Sequence, residues 1–88
     1  MDYTKIYPTL DLHGEYSFSV GYLTNEFIND NICLKNKMIC IMHGIGEGIV
    51  KSSVHNYLKN DRRVKSYKVD ILNPGCTIVE LKEDLWEN

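Results

Sequence analysis

The chain has 88 residues, 43% of them hydrophobic and 25% charged, which is room for one domain with a modest core and excludes a second. Ten Lys and Arg against twelve Asp and Glu leave a net charge of -2, which excludes a wholesale electrostatic grip on nucleic acid and leaves local contacts only. The longest uncharged apolar run, Met38 to Met42, is far short of the roughly 20 residues of a membrane span, and Asp2 after Met1 does not open a signal sequence.

Ile6 to His13 reads as a strand that sends Leu10 and Leu12 to one side and Thr9, Asp11 and His13 to the other, with Pro8 limiting pairing near its start. Gly14 ends it. Val20, Leu23 and Phe27 recur at spacings of three and four, which predicts an amphipathic helix over Ser17 to Ile32 with Ser17 as its cap. Met38 to Met42 is apolar on both alternating faces, as in a crowded central strand. Gly44, Gly46 and Gly48 punctuate the next turn, and Val50, Val54, Tyr57 and Leu58 mark a second helix that ends near Asn60 and Asp61. Val64 to Ile71 alternates, with Tyr67, Val69 and Ile71 opposite Ser66, Lys68 and Asp70. Asn73-Pro74-Gly75 supplies a turn, and Thr77 to Leu81 is the return strand.

This order predicts an α/β fold, a two-layer βαβαββ sandwich of two helices on a four-stranded mixed sheet. The first three strands can run parallel through right-handed crossovers, and the last two form a hairpin. A single domain over 1–88 is expected, with its core at about 6–82 and a tail at 83–88 that is polar except for Leu85 and Trp86.

That topology brings the carboxyl ends of the first two strands to one edge of the sheet, where open α/β sheets usually bind ligands. His13 and His43 close those strands, each followed by a glycine, Gly14 and Gly44. Asp11 and His13 share a strand face, so the carboxylate can fix the imidazole tautomer or join it on a metal. Asp11 capping the loop while His13 bonds backbone at the turn is the structural alternative. His43-Gly44-Ile45-Gly46-Glu47-Gly48 lies between a strand and a helix, where backbone amides and the helix dipole favour phosphate. Glu47 opposes an anion there, and Lys51, Ser52 and Ser53 partly offset it. The loop is not a Walker A sequence, because no G-K-[ST] follows.

Lys35, Lys37, Arg62, Arg63 and Lys65 fall at the opposite edge, either as a remote polyanion contact or as solvated connections. Tyr3, Tyr7, Tyr16 and Tyr22 offer base stacking or packing at the core rim. Cys33, Cys40 and Cys76 are odd in number and form no C-x-x-C pair, so reduced thiols in a cytoplasmic protein are expected.

Leu10-Asp11-Leu12-His13-Gly14, His43-Gly44-Ile45-Gly46-Glu47-Gly48 and Thr77-Ile78-Val79-Glu80-Leu81, in this order, resemble the LDLHG, HG-x-G-x-G and TIVEL signatures of the small MutS-related domain family, Smr. The resemblance covers about 6–82 and implies a stand-alone short member. It implies a fold similar to the carboxyl-terminal domain of bacterial translation initiation factor three, and a role in binding or cutting nucleic acid. By position it implies nuclease activity at Asp11 and His13 and substrate contact at His43, Gly44, Gly46 and Gly48. Ile45 replaces the basic residue of many members, Glu47 a small or hydroxyl one, and Asn73-Pro74-Gly75-Cys76 a longer Gly-rich loop, which reduces the expected phosphate grip.

Three functions are consistent with these residues. As an endonuclease in DNA repair and recombination or in ribosome-associated RNA cleavage, one of His13 and His43 would deprotonate the attacking group and the other protonate the leaving oxygen, with Asp11 orienting His13. Mg²⁺ or Mn²⁺ at Asp11 and His13, joined by Glu47, is the candidate cofactor, chiefly for DNA. The second function is non-catalytic binding of DNA, RNA or the ribosome, through Gly44, Gly46, Gly48, Lys51 and Ser52. The third is protein interaction, as a monomer or a weak homodimer that buries Leu85 and Trp86.

Overall fold

The computed structural model describes residues 2–83, so the expected contacts of Leu85 and Trp86 lie outside the described residues. After a 3-10 turn at Tyr3–Lys5, the elements are Thr9–Asp11 (β1), Ser17–Cys33 (α1), Met38–Met42 (β2), Ile49–Lys59 (α2), Val64–Val69 (β3) and Cys76–Leu81 (β4). They form the α/β sandwich expected from the sequence, with one four-stranded sheet in the order β1-β2-β4-β3. β1 pairs parallel with β2, and β4 pairs antiparallel with both β2 and β3. β1, β2 and β3 therefore share one direction, and their carboxyl ends lie at one edge. The return strand inserts between β2 and β3 and takes the central place that its near-complete burial requires.

Register explains the core. Ile39 pairs with Val79 and Ile41 with Thr77, and Tyr67 meets Val79 from the other side. These positions face the helices and join Leu12, Val20, Ile28, Val54, Leu58 and Leu81 in one cluster. Each fully buried Leu or Ile there is worth about 1.5–3 kcal/mol relative to exposure. The opposite sheet face carries Cys40, Cys76 and Ile78, all buried. Tyr3 lines one cleft with Ile78, which brings the amino-terminal turn over that face. Burial pushes the Cys40 thiol up to about 11, so it is an inert apolar filler rather than a nucleophile.

Several boundaries differ from the sequence expectation. β1 ends at Asp11 and β2 at Met42, so His13 and His43 lie just beyond the strands they were expected to close, and α1 runs one residue past Ile32 to Cys33. β1 begins at Thr9 rather than Ile6, because Asp2 caps the 3-10 turn through the Thr4 N–H at 3.1 Å and Pro8 has no N–H to donate. The Pro8 carbonyl still accepts from Cys40 N–H at 2.9 Å. Ser17 is the first helical residue, and the cap position belongs to Tyr16, whose side chain makes no capping bond. β3 stops at Val69, and the chain turns at Asp70, which is buried and accepts from the Leu72 N–H at 3.0 Å. Ile71 therefore leaves the core face assigned to it from the alternation and is 94% exposed. β4 starts one residue early, at Cys76, paired with Met42.

Among the described residues, one buried side-chain polar atom lacks a partner. Thr24 is fully buried in α1, yet its hydroxyl makes no hydrogen bond. Replacing Thr24 by valine removes an orphaned polar atom at nearly constant shape, and stability should rise by about 1 kcal/mol. Urea unfolding of the two proteins checks this as a higher midpoint at unchanged slope.

Candidate nucleic-acid site

The strand ends and the loops after them build a cleft of about 480 Å³ at the carboxyl edge, with His13, Gly14, His43, Glu47, Gly48 and Lys51 in its lining. The structure thus brings together the two histidine-glycine steps and the start of α2.

His13 is set by Asp11. The Asp11 Oδ1 accepts the His13 backbone N–H at 3.1 Å and the Nδ1–H at 2.5 Å. This holds the proton on Nδ1 and leaves Nε2 as the free ring nitrogen. The hydrogen bond and charge of Asp11 raise His13 above its usual value, and the bond from His13 holds the Asp11 carboxyl below its own. The His13 side chain is 67% exposed, so its nitrogen is open to a substrate.

His43 is placed differently. It is 5% exposed; its Nδ1 lies 3.0 Å from the Gly44 carbonyl and its Nε2 2.8 Å from the Thr77 hydroxyl. A second imidazole, His55 of α2, reaches the same hydroxyl through Nε2 at 2.7 Å. A carbonyl can only accept, so His43 carries its proton on Nδ1 and its Nε2 takes the Thr77 O–H. The Thr77 oxygen then accepts the His55 Nε2–H, which gives an ordered chain from His55 through Thr77 and His43 to Gly44. Burial pushes both imidazoles below their usual value, which keeps His43 neutral as this chain requires.

Sequence reasoning missed His55 and Thr77. The available signal was Thr77 itself, a polar residue in an otherwise apolar strand, which must find a partner once buried. It also missed Gly75, whose carbonyl accepts the backbone N–H groups of both His43 and Gly44 at 2.9 Å. The short Asn73-Pro74-Gly75 turn thereby clamps the His43-Gly44 step. Gly44 has φ of +82°, and a Cβ there would stand 3.3 Å from the His13 Cβ, so only glycine fits beside His13.

Gly44 spends its N–H on Gly75, which leaves the later part of the loop to meet an anion. Gly46 and Gly48 both have positive φ. Gly48 is the cap residue of α2 and has no side chain to cap the first-turn amides, and Ile49, Val50 and Lys51 of that turn line the cleft. Lys51 lines the same wall, Glu47 remains beside it, and Ser52 lies outside this cleft, one groove further along α2.

Asp11, His13 and Glu47 do not form a three-donor metal cage. Among the described residues, no three His, Cys, Asp or Glu gather in an arrangement that could hold a metal ion. Glu47 does not complete a group with Asp11 and His13, and the Asp11 Oδ1 already serves two N–H groups of His13.

The remaining candidates fall elsewhere. Lys37 pairs with Glu80 and Glu83, Lys65 with Glu80, and Arg63 with Asp61, so much of the basic charge at the opposite edge is internally matched. Tyr3 stacks on Tyr7, and Tyr22 donates to Glu26. Tyr16 stacks on Phe18, both rings well exposed, three and five residues after His13. No helix among the described residues is long and apolar enough to cross a membrane.

Comparison with known proteins agrees with this geometry. The Smr domain family profile matches residues 10–82. Endonuclease MutS2 of Clostridium kluyveri is 38% identical over 77 residues, which is 84% of this chain and 10% of that protein. Endonuclease MutS2 of Geobacillus thermodenitrificans is 34% identical over 76 residues, again 10% of its length. The chain thus spans about a tenth of the length of these curated relatives. The crystal structure of the Smr domain of Thermus thermophilus MutS2 superposes with a TM-score of 0.82 at 22% identity, covering 85% of this chain and 98% of that one. YdaL, a stand-alone small MutS-related protein from Escherichia coli, gives 0.80 at 23% identity, covering 86% and 67%. Signature spacing, sheet order and these matches lead to one assignment: the chain belongs to the Smr domain family.

Proposed function

We propose that this domain binds a nucleic-acid strand across the carboxyl edge and cleaves its phosphodiester backbone by proton transfer at His13. The observation that carries this reading is the exposed His13 ring, with Nδ1 held by Asp11 and Nε2 left free beside the cleft. Relatives named Endonuclease MutS2 support the cleavage chemistry.

A lone oriented imidazole without a three-ligand metal group suits RNA, which supplies its own nucleophile. His13 Nε2 removes the 2′-hydroxyl proton and the 2′-oxygen bonds to phosphorus. The bond from phosphorus to the 5′-oxygen breaks, and that oxygen takes a proton from the imidazolium or from water. The products are a 2′,3′-cyclic phosphate and a 5′-hydroxyl. The open α2 amino terminus and Lys51 hold the phosphate. His43 has both ring nitrogens bonded within the protein, so in this reading it shapes the Gly44 loop instead of exchanging protons with substrate. The second reading, recognition without cleavage, is favoured by Glu47 in the loop and by the Gly44 N–H already committed to Gly75.

The test is cleavage of labelled single-stranded RNA, duplex DNA and branched DNA, each with EDTA or Mn²⁺, with binding recorded in the same tubes. RNA cut in EDTA to cyclic-phosphate ends is the expected result. Salt-sensitive binding with no cleavage of any substrate leaves a recognition module and removes the enzyme reading.

A further inference from the structure

The cleft at His13 does not end at α2. A groove of about 530 Å³ continues from Glu47, Gly48 and Lys51, which it shares with that cleft, along the exposed side of α2 to Lys59. Lys51, His55 and Lys59 stand at i, i+4 and i+8 and so lie on one helix face. Ser52 and Asn56 line the groove beside them. Eight residues of helix rise about 12 Å, so the groove lengthens the path open to a strand beyond the cleft.

Charge singles this groove out. Among the described residues neither Lys51 nor Lys59 takes part in an ion pair, whereas Lys37, Arg63 and Lys65 at the opposite edge do. Lys35 and Arg62 at that edge are likewise unpaired, but they line no groove continuous with the cleft. Glu47 at the start of the groove is the one acid in its lining. On a chain of net charge -2, unmatched cations in line beside a cleft are complementary to a polyanion. The donors also match a phosphate chain: two ammonium groups, a hydroxyl and a side-chain amide. His55 adds no donor: its Nε2–H is given to Thr77, so its ring stands in the groove as a reporter of a strand passing over it.

We propose that this groove is a second subsite, for the phosphate backbone of the nucleotides flanking the one at His13. The proposal rests on the strand-binding reading above and adds to it a path along α2 and a minimum substrate length. A strand seated only at the cleft meets Lys51. One that continues past it also meets His55, Asn56 and Lys59.

The experiment compares single-stranded oligonucleotides of about four and about twelve residues, in ribose and deoxyribose form, binding wild type and Lys59→Gln over a range of salt. The wild type should prefer the long strand. Lys59→Gln should reduce that long-over-short advantage about three- to fivefold and lower the salt slope for the long strand by about 0.7, the value of one single-strand phosphate contact. His55 ring signals should move on adding the long strand and not the short one. Lys59 also sits in the last turn of α2, so the thermal midpoint of the variant is recorded to separate a helix effect from a binding one. An unchanged long-over-short ratio, or an equal loss at both lengths, overturns the subsite while leaving strand binding at His13 intact. If the wild type binds neither length, the strand-binding reading fails, and the subsite with it. The ribose and deoxyribose arms show which backbone the groove accepts.

Discussion

His13→Ala is expected to lower strand cleavage by about 10²- to 10⁴-fold, the usual size of a lost general acid-base group, while binding persists. The side chain is 67% exposed, so removing it should shift stability by no more than about 0.5 kcal/mol. Loss of activity would therefore not reflect unfolding, and a thermal scan of the variant checks that point. Asp11→Asn should cost less, because an amide oxygen can still accept the Nδ1–H but carries no charge to stabilise the imidazolium. Single-turnover cleavage with wild type, His13→Ala and Asp11→Asn should give rates in the order wild type, Asp11→Asn, His13→Ala. Equal rates for wild type and His13→Ala would move the chemistry elsewhere.

The second large effect belongs to Thr77. Its hydroxyl is the meeting point of His43 Nε2 and His55 Nε2, and the residue is fully buried between the sheet and α2. Valine keeps the shape and strands two ring nitrogens, each an unpaired polar group costing about 1–3 kcal/mol where it is buried. Since His55 is only half-buried and can find water, we expect Thr77→Val to lose about 2–4 kcal/mol. Thr77→Ser retains the hydroxyl and should recover most of it. Urea midpoints for the three proteins measure the difference, and a loss below about 0.5 kcal/mol for valine would show that the hydrogen-bond chain does not form as described. Because His43 ends this chain at Gly44, Thr77→Val should also loosen the loop beside His13 and reduce cleavage beyond what the lost stability explains.

The sequence made much of this legible, for identifiable physical reasons. Val20, Leu23 and Phe27, and then Val50, Val54, Tyr57 and Leu58, announced their helices through spacing, and the unbroken apolar run around Cys40 announced a crowded central strand. The repeated His-Gly step pointed to the edge where His13 and His43 line one cleft. Sequence proximity was enough for Asp11 and His13, two residues apart. What remained hidden depends on contacts between distant segments. The bond from His55 to Thr77 spans 22 residues and that from His43 to Thr77 spans 34. Nothing in the local pattern says that His43 turns inward while His13 stays outside. The insertion of β4 between β2 and β3 was equally unreadable from element order, because a hairpin fixes only that its two strands are neighbours. The exposure of Ile71 followed from the turn at Asp70, which an alternating pattern cannot foresee.

In the proposed reaction His13, oriented by Asp11, moves the proton in strand cleavage. Asp11 raises His13 above its ordinary value of about 6.5, and a general base must be neutral. The cleavage rate should therefore rise with pH through a midpoint above about 6.5. In Asp11→Asn the imidazolium loses its neighbouring charge, so the midpoint should fall towards 6.5. The most direct measurement is the pH dependence of cleavage set beside the NMR titration of the His13 ring, in wild type and in Asp11→Asn. Midpoints that coincide in each protein and move down together support the account. A rate that is flat across the His13 titration, or a midpoint that stays fixed while the His13 titration moves, would contradict it.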